Sequence, residues 1–398
     1  MSRVVEIAGA LAEAGLDGWL FYDFRRSDPI AYRVLDLDSD GLSTRRWFYL
    51  VAPDKEPAAL VSAVEPNRLD RLPGRRIVYR SEREMTAGLA AMLAGRRRIA
   101  MNYSPHCAIP YVSRVDAGIV ELVRSCGAEV ISAADLIQRF EATLAPAQLE
   151  SHRRAGDALL TVVNETFAEI ARRVRAGIAI SELDAQRFVI DRISAGHSMV
   201  TRDPPIVAVN AHAALPHFSP NTADDARIAR GDLVLLDLWA REPDADSIYA
   251  DFTWMAYVGE SVPAEYEQAF GLVARARDAA IEFVAEKVAR GEPVTGEQAD
   301  RAARAVIEAA GLGDAFMHRT GHSIGREVHA NGANLDSLET RDSRHLMERT
   351  CFSVEPGLYF PGRFGVRTEI DMTIENGRAL VTTGAMQTAV VPLLTAFA

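Results

Sequence analysis

An α/β domain followed by an α+β domain with an internal pseudo-two-fold repeat is the fold class this sequence predicts, on three observations. At 398 residues the chain exceeds what one ordinary core organises, so two domains are expected. Its first third alternates strand-like and helical patterns, as a layered α/β unit does. The remainder twice repeats a long helix, a glycine, a capped second helix and a histidine-bearing strand segment.

The elements follow in order. Val4 to Leu16 has helical period, and GWLFY reads as a short buried strand running into Asp23-Phe24-Arg25-Arg26. RRWFYLVAP and AALVSAV read as neighbouring strands, with further strands at RRIVYR and RRRIAMNY. EREMTAGLAAMLAG between the last two is a helix ended by Gly95. The pattern breaks over residues 140–147, which gives domains of 1–142 and 147–398. Ala147 opens a helix running to about Ala176, with Pro146 near its start at a position where its missing N–H would be unbonded anyway. Gly177 then leads to Ser181 with Asp184 three residues on, and Gly291 leads to Thr295 with Gln298 three on. Both are capping boxes, and each helix they start is followed by a glycine, Gly196 or Gly311. The strand segments PPIVAVNAHAALPHF and FMHRTGHSIG complete the two halves.

Composition narrows the function. The chain is 48% apolar and 25% charged, as globular proteins are, and its net charge of -11 argues against nucleic acid as a partner. Three cysteines without a C-x-x-C spacing leave no disulfide framework or thiolate zinc site. No apolar run approaches about 18 residues and the N-terminus lacks a signal-peptide core, so a cytoplasmic protein with no membrane partner is expected.

The chemistry gathers in the second domain. GDLVLLD ends an apolar run at Asp237, and fourteen residues later YADFT places Asp251 in a strand-like setting. Burying two carboxylates costs several kcal/mol each unless a cation or hydrogen bonds offset it. RTGHSIG sets His322 among glycines, where backbone can approach closely. VEPGLY puts Glu355 at a strand end, and GVRTEIDMT puts Glu369 in a β-branched strand. Four carboxylates and an imidazole can neutralise and coordinate two divalent ions.

These ordered motifs, GDLVLLD, YADFT, GHSIG, VEPGLY and GVRTE, resemble the superfamily of methionine aminopeptidase, aminopeptidase P, prolidase and creatinase. The resemblance covers residues 147–398 and implies the pita-bread catalytic fold there, while residues 1–140 resemble the creatinase-type N-terminal domain. It assigns Asp237 to one metal, His322 and Glu355 to the other, and Asp251 and Glu369 to both. It makes Glu355 the proton relay, and His217 and His329 the outer histidines that touch substrate and stabilise the tetrahedral intermediate. It gives Arg341 to a substrate carboxylate, while Arg367, beside the substrate, orients a carboxylate ligand. The implied activity is that of an Xaa-Pro dipeptidase, hydrolysing dipeptides with C-terminal proline by a two-metal-activated hydroxide. The alternatives are an Xaa-Pro aminopeptidase acting on longer peptides and a non-catalytic pita-bread module that binds proteins. The carboxylate-rich ligand set suits Mn²⁺, with Zn²⁺ and Co²⁺ also able to bind. A homodimer is expected, with an N-domain aromatic such as Trp47 closing the pocket. Trp239 and Trp254 depart from the family pattern, as does the long Trp239–Ala250 loop, and substrate range is where those departures bear.

Overall fold

The computed structural model describes residues 3–38 and 42–398. They divide into two compact units, Met1–Glu141 and Ala142–Ala398.

The first unit runs α1 (Arg3–Glu13), β1 (Gly18–Asp23), α2 (Pro29–Val34), β2 (Trp47–Val51), β3 (Ala58–Ser62), β4 (Arg75–Tyr79), α3 (Glu82–Leu93), β5 (Arg98–Met101), α4 (Ala117–Ser125), β6 (Glu129–Ser132) and α5 (Ala134–Glu141). Its six strands form one mixed sheet in the order β4-β3-β2-β1-β5-β6. GWLFY is apolar throughout because helices cover both faces. Trp19 and Phe21 join a core with α1, α2 and α5, while Leu20 and Tyr22 join one with α3 and α4. Helices α2, α4 and α5 and strand β6 add to the elements read from the sequence. Trp47 is 1% exposed, edge-on to Tyr32 in the first of these cores, so its ring packs the interior of this unit.

The second unit runs α6 (Pro146–Arg175), α7 (Glu182–Asp191), β7 (Ile206–Val209), β8 (Leu233–Ala240), β9 (Ala250–Tyr257), α8 (Ala264–Ala289), α9 (Gly296–Ala309), β10 (Ser323–Ile324), β11 (Cys351–Val354), β12 (Gly357–Phe360), β13 (Phe364–Arg367), β14 (Ile370–Glu375), β15 (Arg378–Val381), β16 (Val391–Pro392) and α10 (Leu393–Ala396). The repeat is structural. Both expected capping boxes form, with Ser181 and Asp184 starting α7 and Thr295 and Gln298 starting α9. One half holds the sheet β16-β9-β8-β7 and the other the sheet β10-β11-β14-β15, with β12 and β13 as a separate hairpin. The α6–α7 pair packs on one face of the first sheet, and the α8–α9 pair packs on residues of both sheets. No helix among the described residues is long and apolar enough to cross a membrane.

Candidate metal centre

Strand alternation decides which side chains converge. Across the β8–β9 hairpin Asp237 pairs with Thr253 and Trp239 with Asp251, so these four share a face. Trp254 takes the opposite face and packs toward α6 and α7, away from the carboxylates, whereas Trp239 stays on their side. On the second sheet Ser353 pairs with Asp371 and Val354 with Ile370. Val354, Ile370 and Met372 point into the α8–α9 core, which leaves Ser353 and Asp371, with the flanking Glu355 and Glu369, on the other face. His322 precedes β10, where its N–H donates to Ser353 Oγ at 3.0 Å and its carbonyl accepts from Ser353 N–H at 2.8 Å. Only glycine permits this approach: a Cβ at Gly321 would lie 2.0 Å from Ser353 O.

The two polar faces meet. Asp251 N–H donates to Asp371 Oδ2 at 2.8 Å, and Thr253 Oγ1 donates to Glu369 Oε2 at 2.9 Å. His322 Nε2 lies 3.6 Å from Asp251 Oδ2 and 3.4 Å from Glu355 Oε1. One ligand atom each from Asp251, His322 and Glu369 falls within 4.8 Å of the others. Arg367 binds Asp237 through Nη2 and donates from Nε to Thr253 Oγ1 at 2.9 Å. Its Nη1 reaches Tyr359 OH at 3.3 Å and Pro216 O at 3.2 Å.

Electrostatics show what this gathering lacks. Burial first, then the charges of Asp237, Asp371 and Glu355, push Asp251 well above the usual carboxylate range. Glu369 is pushed well up by burial and then by Asp251 and Glu355, and Glu355 rises to about 7, with burial again leading. Asp237 rises with burial although the Arg367 charge and then a hydrogen bond from Thr253 oppose it. Burial works against the charge of Arg367, yet Asp237, Tyr359 and Glu355 more than offset that. His322 is held well below its ordinary value by burial and then by His329. Asp251 Oδ1 is buried without a hydrogen-bond partner. An unpaired carboxylate oxygen beside a neutral imidazole and further carboxyls is the donor set of a divalent-cation site, so these residues fit a metal.

The other expected residues fall around this cluster. The His329 ring meets His322 edge-on at 4.3 Å with its outer edge open to solvent, and burial against its neighbours, then the Arg319 charge, hold it at about 4. His217 is exposed, on the loop whose Pro216 carbonyl is held by Arg367. Arg341 is not gathered with them: its side chain is 72% exposed and pairs with Glu297 of α9 at 3.5 Å. Asp371, Thr253, Ser353 and the His318–Tyr359 pair (2.7 Å) belong to the centre without having been singled out from the sequence. Asp371 and Ser353 carried a usable signal, lying two residues from Glu369 and Glu355 on the same strand faces. The loop after Trp239 is tied to α6, by Glu242 to Arg154 at 2.7 and 2.8 Å and by Ile248 N–H to Ser151 Oγ at 3.1 Å.

A pita-bread fold with a buried acid–imidazole centre defines a class, the metal-dependent peptidases, and comparison with known proteins agrees. The profile of metallopeptidase family M24 matches residues 150–376. The chain is 30% identical over 277 residues to a probable dipeptidase PepE of Mycobacterium tuberculosis, covering 69% of this chain and 68% of that protein. It is 34% identical over 178 residues to an Xaa-Pro dipeptidase of Pyrococcus furiosus, covering 44% and 46%. The crystal structure of dipeptidase PepE from Mycobacterium ulcerans has a TM-score of 0.68 at 23% identity, over 98% of this chain and 97% of that one. The protein belongs to metallopeptidase family M24, in its prolidase and aminopeptidase P branch, and divalent metal ions are its cofactor class.

Proposed function

We propose that this protein is an Xaa-Pro dipeptidase with a dinuclear centre held by Asp237, Asp251, His322, Glu355 and Glu369. The observation that carries the reading is the meeting of two acidic sheet faces at Asp251, His322 and Glu369 in a chain of this family. The relatives named as dipeptidases support the choice of substrate. Bound there, a pair of divalent ions supplies Lewis acidity that activates water and polarises the scissile carbonyl. Asp251 and Glu369, where the two sheets meet, would help hold the ions. Arg367 and Thr253 keep Asp237 and Glu369 in orientation through the bonds described above.

A prolyl nitrogen carries no hydrogen in the peptide and must gain a proton to leave. Glu355, oriented by Ser353 Oγ at 3.2 Å, is the carboxyl placed to take a proton from the attacking water and pass it on. His217 and His329 stand at the open side, where imidazole N–H groups can donate to the carbonyl oxygen as it gains charge. Mn²⁺ suits the oxygen-rich set. A cytoplasmic setting fits three unpaired cysteines, and a homodimer is what the resemblance to the family branch implies.

The test is hydrolysis of Ala-Pro and Ala-Pro-Ala by the Mn²⁺-loaded protein, with metal content measured in parallel. Dipeptide cleavage alone is expected, together with loss of both metal and activity in His322→Ala. Efficient cleavage of the tripeptide would mean an aminopeptidase, and failure to bind any divalent ion would favour a binding module.

A further inference from the structure

His217 stands on a long loop between β7 and β8, and a cluster outside the metal centre grips that loop. Glu182, the first residue of α7, is fully buried. Its Oε1 accepts from Val209 N–H at 2.7 Å where the loop begins, and its Oε2 accepts from Ala226 N–H at 2.8 Å where the loop returns. Between them His212 Nδ1 sits 3.0 and 2.8 Å from the two oxygens. The same imidazole faces Asp224 Oδ1 through Nε2 at 3.1 Å, so each ring nitrogen has a carboxylate to bond. Its flat side stacks on Phe218, the neighbour of His217, with centroids 4.1 Å apart and 26° between the planes. The loop is held from below as well. A Cβ at Gly365 would lie 1.9 Å from Ala213 O, so β13 backs directly onto the turn that contains His212.

One ring thus touches the carboxylate that holds both ends of the loop, the loop's returning limb and the residue next to His217. An exposed histidine on so long a loop would otherwise sample many orientations, each costing rate. We propose that His212 is a positioning residue for the reaction, fixing through Glu182, Asp224 and Phe218 the loop that presents His217 to the centre. The inference rests on the dipeptidase reading of His217. A purely structural role predicts lower stability with unchanged turnover of the folded protein; positioning predicts lost turnover that depends on His217.

A double-mutant cycle separates the two. With Ala-Pro and Mn²⁺-loaded protein, His212→Ala should lower kcat by about ten- to a hundred-fold. Mn²⁺ affinity by calorimetry should stay unchanged, and no further loss should appear when His212→Ala is added to His217→Ala. In the metal-free protein the His217 ring resonances should move toward unstructured positions in His212→Ala. Losses that multiply in the double variant, or a kcat unchanged in His212→Ala while His217→Ala loses activity, would overturn the positioning role alone. Full activity in His217→Ala would instead remove the reading beneath it, and the proposal with it. If His212→Ala does not fold, Asp224→Asn decides, since Asp224 is 57% exposed in its side chain. A loss in that variant that disappears in the His217→Ala background supports the proposal, and unchanged kcat overturns it.

Discussion

Behind the metal centre, His152 of α6 lies wholly out of solvent, Nδ1 against Tyr249 O at 2.7 Å and Nε2 against Thr382 Oγ1 at 2.7 Å. Burial pulls its pKa down from 6.5 to about 4, against the help of the Tyr249 carbonyl. Between those values the unfolded chain binds a proton that the folded chain refuses. The ring's contribution is therefore complete above about pH 6.5 and is lost as the pH falls through about 4. A shift of that size is worth about 3 kcal/mol. In urea titrations the stability advantage of wild type over His152→Gln should shrink by about that amount from pH 7 to pH 4, and a constant difference would contradict the account. Arg341 offers the opposite case, an ionic group whose loss should cost little. Its guanidinium is in solvent against Glu297, and such pairs contribute about 0–1 kcal/mol. Arg341→Ala should leave both KM for Ala-Pro and the urea midpoint close to wild type. A large rise in KM would restore the carboxylate-binding role that the sequence pattern implied.

Between the residue and the molecule, strand ends and glycines set the geometry. Gly321 lets the backbone before β10 press against β11, which orients His322 toward Asp251 and Glu355. In Gly321→Ala the Cβ meets backbone oxygen, which cannot swing aside, so a cost of about 2–3 kcal/mol is expected with weaker metal binding. Denaturation of the metal-free variant checks the first part and calorimetry the second; wild-type values in both would show that β10 can shift freely. The close approach was legible because the glycines bracketing His322 have few other uses. The five proposed ligands were legible only as a set, four carboxylates and an imidazole in ordered motifs that resemble the family, and the capping boxes at Ser181 and Thr295 were legible from local spacing. Asp371 offered only its two-residue spacing from Glu369 and Thr253 offered nothing, since their contacts arise when β9 and the segment opening β14 meet from more than a hundred residues apart. The outward turn of Arg341 was not legible for a related reason. Neighbouring Arg344 turns inward to Asp342 while Arg341 turns out, and that choice is made by packing rather than by the local pattern.

At the scale of the whole molecule, each large buried apolar cluster among the described residues belongs to one unit or the other. Two lie among residues of Met1–Glu141 and three among residues of Ala142–Ala398. The five proposed ligands, the Arg367 network and the Glu182–His212 clamp are all in the second unit. Its two halves also support one another. The first sheet would leave Asp251 N–H without its partner if the second sheet were absent, and the second would lose the Thr253 hydroxyl at Glu369. The second unit should therefore fold alone as one cooperative body, whereas a cut between β9 and α8 should leave neither half folded. Residues 142–398 expressed separately should show a single unfolding transition that shifts upward with added Mn²⁺, as mass action requires of a ligand bound only by the folded state. Substrate turnover is the quantity in which the first unit can still matter. A fragment that binds Mn²⁺ with the affinity of the full chain but handles Ala-Pro with a raised KM would assign substrate enclosure, rather than metal binding, to residues 1–141. A fragment that stays unfolded or takes up no metal would show that the two units form a single cooperative structure.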